Sequence, residues 1–169
     1  KPKKTAAGPL PAEELVKRVE PLLKPVEGAG GKQEVSAFVQ ERIAAGASPE
    51  VVENLNRRLS EFPVIIELEQ LPGAPFYRTK TVGDAIVVML NTSHPFYERV
   101  YQRLEEQSPV GKTGIDLLLM SLARSEESGS DEAREWYDAQ RQDWSQNLKR
   151  FTAQLPEYEG PDDNEPVGK

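Results

Sequence analysis

The sequence predicts an α+β fold: a small antiparallel three-stranded meander packed against several helices, with a long C-terminal helix. Three observations carry this expectation. Apolar residues recur at helical spacing up to residue 61 and again after Pro95. Between them, residues 64–68 and 85–90 form short apolar or β-branched runs bounded by turns that contain Pro and Gly. Residues 131–151 hold one amphipathic pattern over roughly six turns.

Residues 1–31 read as a linker with a short helix. Leu15, Val19, Leu22 and Leu23 are helically spaced, and Pro21 shortens or kinks that helix. Glycines then break the path between residues 28 and 31. Residues 32–61 read as a helical pair. Val35, Phe38, Val39, Ile43 and Ala44 share one face, and Gly46 ends the first helix. Ser48 caps the second, with Pro49 at its first position, because the cap accepts a free N–H and proline has none to offer.

Residues 62–155 read as the α+β core domain. Val64-Ile65-Ile66-Glu67-Leu68 is a strand and Leu71-Pro72-Gly73-Ala74-Pro75 a turn. Phe76-Tyr77-Arg78-Thr79 is a second strand, Val82-Gly83-Asp84 another turn, and residues 85–90 a third strand. Two short connections imply the meander. The near-continuous apolar run of the third strand implies cover on both its faces. Pro95 opens a helix bearing Phe96, Tyr97, Val100, Tyr101 and Leu104. Gly111 to Gly114 is expected to break the chain, leaving residues 115–122 as a short buried helix. Ser128-Gly129-Ser130-Asp131 is a turn and cap for the last helix, whose stripe includes Ala133, Trp136, Tyr137, Gln140, Trp144, Leu148 and Phe151. Residues 156–169 read as a disordered acidic tail.

Composition excludes several chemistries. The chain has 169 residues, no cysteine and one histidine. Disulfides, thiol nucleophiles and sites that need two histidines are therefore ruled out. A net charge of −7 repels phosphate backbones, so direct nucleic-acid binding is not expected. No apolar run approaches the ~18–20 residues that span a bilayer. The expectation is a cytoplasmic protein with no membrane contact. The first residue is Lys1 rather than Met, which is read as a piece of a longer product or as a processed one.

Few residues stand out as chemical candidates. Asn91 and His94 lie where the third strand turns into a helix. His94 is either a base or a residue of the capped corner, and Pro95 favours the corner. Gly111-Lys112-Thr113 ends like a phosphate-binding loop, but Glu106 stands where that loop needs its first glycine. The carboxylate pairs, including Glu105/Glu106 and Glu126/Glu127, read as solvated surface. No calcium-loop pattern or other metal site is present. Trp136, Tyr137, Trp144 and Phe151 are either core or partner contacts.

A resemblance adds to this. Ala74-Pro75-Phe76-Tyr77, a turn, and then Ala85-Ile86-Val87-Val88-Met89-Leu90-Asn91-Thr92-Ser93-His94-Pro95-Phe96-Tyr97 resembles a block in the C-terminal part of bacterial ATP-binding proteins. These are members of the gyrase B, histidine kinase and MutL superfamily, the GHKL ATPases. Leu117-Leu118-Leu119-Met120-Ser121-Leu122-Ala123-Arg124-Ser125-Glu126 and Asp143-Trp144-Ser145-Gln146-Asn147-Leu148-Lys149-Arg150 are similar to the segments next along the chain in those proteins, so the likeness covers about residues 62–151.

The resemblance implies that ATP and Mg2+ bind in a domain upstream of this chain. It also implies that the helix with the catalytic Glu and Asn, and the glycine-containing nucleotide loops, lie in that domain. Residues 1–61 contain none of these, and no catalytic residue carries over. In some relatives a lysine outside the ATPase domain reaches the nucleotide phosphate. Lys80 and Lys112 are the residues to weigh for that role, although neither carries a matching local pattern.

The expected function is that of a non-catalytic C-terminal region of a larger ATPase, serving dimerisation or coupling of nucleotide state to a protein partner. The alternatives are a free-standing adaptor module and, less favoured, a hydrolase or transferase centred on His94.

Overall fold

The computed structural model describes residues 11–23, 26 and 33–157. Residues 1–10 of the expected linker, the glycine break and the acidic tail from residue 158 lie outside the described residues. The helices are α1 (Ala12–Val19), α2 (Val35–Ala44), α3 (Pro49–Glu61), α4 (Gln102–Gln107), α5 (Pro109–Glu127) and α6 (Asp131–Thr152). The strands are β1 (Val64–Glu69), β2 (Tyr77–Val82) and β3 (Ala85–Asn91). The α+β class and the long C-terminal helix are as the sequence predicts.

The sheet corrects the meander. Its order is β1-β3-β2, with β1 parallel to β3 and β2 antiparallel to it. The physical reason lies in β3, whose residues are all buried. A meander would centre β2, which carries Arg78 and Lys80 on one face. The mixed order centres the most apolar strand and leaves β2 at the rim, where charged heads reach solvent.

The alternation of β3 divides the core. Ile86, Val88 and Leu90 face a cluster completed by Val64, Tyr77 and residues of α5. Ala85, Val87 and Met89 face Phe38 and Val39 of α2 and Leu55 and Leu59 of α3. Both faces of β3 are therefore covered, as its sequence requires.

The mixed order needs a chain crossing, because β1 and β2 lie on opposite sides of β3. Residues 70–76 make it around the C-terminal end of β3, and Asn91 fastens them. Its Nδ2 donates to Leu71 O at 2.7 Å and Ala74 O at 3.0 Å, while its Oδ1 accepts from Leu71 N at 3.0 Å. The hairpin from β2 to β3 turns at Gly83 (φ +57°), where an added Cβ would stand 2.7 Å from Val35 Cγ2. Glycine is required there both for the left-handed backbone and for the close approach of α2.

Two helical expectations also need correction. Gly111 and Gly114 do not break the chain, because α5 runs unbroken from Pro109. Ser108 caps it by accepting from Gly111 N at 3.2 Å, with Pro109 at the first position. This is the same Ser-Pro start that opens α3 at Ser48. Nor is the segment 115–122 buried all round, since Leu118 and Leu122 are exposed. Leu22 is exposed as well. Among the described residues no helix is long and apolar enough to cross a membrane.

Candidate functional site

Polar networks and an exposed aromatic face make up the sites that could carry function. The largest network joins α5, α6 and β2. Tyr77, Thr79 and Thr81 alternate along β2, so all three hydroxyls point to the α5 side of the sheet. Tyr77 donates to Glu126 at 2.6 Å, Thr79 to Glu127 at 2.8 Å, and Thr81 to the other oxygen of Glu127 at 2.8 Å. Arg141 of α6 donates to Glu126, and Arg134 lies 3.6 Å from Glu127. Glu126 is 3% and Glu127 6% exposed, which corrects the expectation of a solvated pair. Two carboxylates at a helix C-terminus oppose its dipole. Three hydroxyls and two guanidinium groups offset that. Burial and then Glu126 push the Tyr77 phenol well above its ordinary value, with Arg141 acting the other way. Tyr77 is thus a donor that holds the network together.

The corner after β3 is closed in the same manner. His94 is 5% exposed. Its Nδ1 accepts from Phe96 N at 3.2 Å, which places the proton on Nε2, facing Ser145 O at 3.2 Å. Burial lowers its pKa below the ordinary histidine value, with the Ser145 carbonyl opposing and Lys149 adding to the fall. Ser145 Oγ accepts from Phe76 N at 2.8 Å. Both ring nitrogens are committed, and the recess beside the ring holds only about 40 Å3. That is far below the few hundred Å3 of a ligand pocket. The geometry gives His94 the role of a fastener between the corner and α6.

A roomier cleft of about 300 Å3 opens between α1, the end of β1 and the start of α5. Arg58 forms its floor, held by Glu13 Oε1 at 2.6 Å and by Glu67. Burial works to lower the Arg58 pKa, but the two carboxylates outweigh it and the net shift is upward. On the far wall Tyr101 donates to Asp116 at 2.6 Å, and Lys112 Nζ lies 3.0 Å from the other Asp116 oxygen. Burial, then Asp116, raises the Tyr101 pKa and keeps the phenol protonated. Tyr101 ends a π-helical turn over Tyr97–Tyr101, an irregularity frequent at functional sites. Here the turn aims Tyr101 at Asp116, and each cation of the cleft has a carboxylate partner.

The two lysines weighed for phosphate contact both have internal partners. Lys112 has Asp116. Lys80 donates to Gln33 Oε1 at 2.9 Å, lies 3.7 Å from Glu41 and covers the Phe38 ring. The structure does not bring the two together on one site.

The aromatic stripe of α6 divides. Trp144 packs on the core, with its ring 5.6 Å from Tyr77. Tyr137 is half-buried and meets Trp136 edge to face. Trp136 is 58% and Phe151 69% exposed. The inward face of α6 instead includes Arg141, Ser145 and Thr152. A search for apolar periodicity could not find that face, because its buried members are polar. One signal was available: the period-2 hydroxyls Tyr77, Thr79 and Thr81 announce a polar partner above β2.

No protein-family model, curated protein or solved structure matches this chain.

Proposed function

We propose that this chain is a non-catalytic region that works by protein contact, as the C-terminal part of a larger GHKL-type ATPase. In this reading ATP and Mg2+ belong to an upstream domain. This region then either dimerises or passes nucleotide state to a protein partner. The observation that carries the contact half is the pair of exposed aromatics on α6, Trp136 and Phe151. Aromatic side chains on a helix face free of its own core are the groups most enriched at interface centres. The buried polar groups support the same reading: His94 and Glu126 are spent on holding elements together. The ATPase half rests on the sequence resemblance over residues 62–151.

Two experiments test the halves separately. A photo-crosslinking residue at position 136, in the protein expressed in its own host, should yield a covalent protein adduct. The same residue at exposed Glu50 of α3 should yield none. Absence of an adduct at 136 overturns the contact reading. For the ATPase half, the gene upstream of Lys1 should encode a nucleotide-binding domain with the catalytic Glu and Asn on one helix. A gene without it removes that half and leaves an adaptor.

A further inference from the structure

The outward stripe of α6 has an internal symmetry. Trp136, Gln140, Asn147 and Phe151 lie within one narrow sector of the helix at 3.6 residues per turn, and all are exposed. Their spacing is a palindrome about the midpoint between Asp143 and Trp144. Trp136 mirrors Phe151, and Gln140 mirrors Asn147. A two-fold axis running beside the stripe, level with that midpoint and perpendicular to the helix, would lay two copies of α6 antiparallel with each aromatic level with an aromatic and each amide level with an amide. This self-complementarity is what an isologous interface requires.

Charge argues for the same arrangement. Glu132 and Arg150 lie on one flank of the stripe and Glu135 lies further round the helix on that side, with the acids near the start of α6 and the arginine near its end. In an antiparallel two-fold pair, like flanks face each other. Arg150 of one copy then stands about 3 Å along the axis from the level of Glu135 in the other, at 1.5 Å per residue. A parallel pair would set Arg150 against Arg150. No ion pair engages Glu132, Glu135 or Arg150 among the described residues. One contact opposes the arrangement: the two Asp143 carboxylates approach each other at the axis, where the amides of Gln140 and Asn147 can donate to them.

We infer that the partner of this face is a second copy of the chain, joined through antiparallel α6 helices about a two-fold axis at residues 143–144. The inference rests on the contact reading and names its occupant. The test is light scattering of the purified full chain after size exclusion, over a wide concentration range. A concentration-dependent dimer is expected. Trp136→Ala with Phe151→Ala should weaken it more than tenfold. Arg150→Glu should weaken it, and Glu135→Arg added to Arg150→Glu should restore it. Asp143→Asn should tighten it. All five positions are exposed, and circular dichroism confirms that each variant folds.

A chain that is monomeric up to about millimolar concentration overturns the inference, that being the weak end of specific association. A dimer that ignores the aromatic variants also overturns it, as does failure of the charge swap to restore pairing. The crosslink at position 136 separates the two levels. An adduct with a different protein sinks the second copy and keeps the contact reading, whereas no adduct sinks both.

Discussion

Replacing Arg141 by methionine removes the cation beside Glu126 while keeping the apolar stem of the side chain. Both groups are buried, Arg141 being 8% and Glu126 3% exposed, so water cannot take the place of the guanidinium. Breaking a buried pair from one side costs about 3–5 kcal/mol, because a desolvated charge is left behind. Tyr77 still donates to Glu126, which reduces the loss. The Arg141 contact to Asp138 is on an exposed carboxylate and contributes little. The guanidinium also lies 5.4 Å from the centre of the buried Tyr77 ring, a contact worth up to about 2 kcal/mol when desolvated. The expected net loss is about 3 kcal/mol. Urea denaturation followed by tryptophan fluorescence measures it, since Trp144 packs on Tyr77 and reports on this region. The slope with urea should stay unchanged while the midpoint falls. Adding Glu126→Gln to Arg141→Met should recover part of the loss, because an amide needs no cation and still accepts from Tyr77. A loss below about 1 kcal/mol, or strict additivity in the double variant, would refute the view of Glu126 as a carboxylate that depends on Arg141.

Further outcomes are expected elsewhere. Asn91→Asp keeps the shape of the side chain but loses the donor to the Leu71 and Ala74 carbonyls, and should destabilise by about 2–3 kcal/mol in the same denaturation assay; a near-neutral result would mean that the crossing of residues 70–76 is held by other contacts. His94 has a folded pKa below its unfolded value, so the unfolded chain takes up the proton first on acidification. Its contribution is complete above about pH 6.5 and is lost as pH falls through the folded pKa, with a slope of up to about 1.4 kcal/mol per pH unit. The stability difference between wild type and His94→Asn should therefore be flat above about pH 6.5 and shrink below it; a flat difference down to about pH 5 would contradict the buried neutral ring. Trp144→Ala should cost about 2–4 kcal/mol, whereas Trp136→Ala in the monomer should stay within about 0.5 kcal/mol, and equal losses at the two sites would undo the division of α6 into inner and outer aromatics.

Much of the fold was legible because local rules act on few residues. Ser48-Pro49 fixes the start of α3, and the unbroken apolar run of β3 announces cover on both faces. The strand order was harder to read, because a short connection is compatible with both a hairpin and a crossing of one strand end. Only the comparison of β2 with β3 decides it: Arg78 and Lys80 suit a rim and Val87 and Val88 a centre. The glycines at 111 and 114 mislead about α5, although Ser108-Pro109 repeats the start signal that Ser48-Pro49 gives for α3. The corner was legible in Asn91 and His94, since a polar residue at the end of a buried strand must satisfy backbone groups there. Glu126 and Glu127 were not, because their burial depends on hydroxyls and arginines distant in sequence.

The two sides of α6 invert the usual distribution of polarity. Arg141, Ser145 and Thr152 are buried on its inner side, while Trp136 and Phe151 face water. The inner polar groups are explained by what they hold: Glu126, the His94 corner and, through the Thr152 carbonyl, Arg99. Of the outer aromatics, Trp136 touches Tyr137 edge to face, and both Trp136 and Phe151 are otherwise open to water. Fully burying a side chain of that size contributes roughly 1.5–3 kcal/mol, and the monomer forgoes most of it at both positions. A folding requirement alone would be met equally well by glutamate or lysine at 136 and 151, as it is by Glu135 and Arg150 beside them. The proposed two-fold pairing would cover both aromatics, and their palindromic spacing is the feature that a second copy would match.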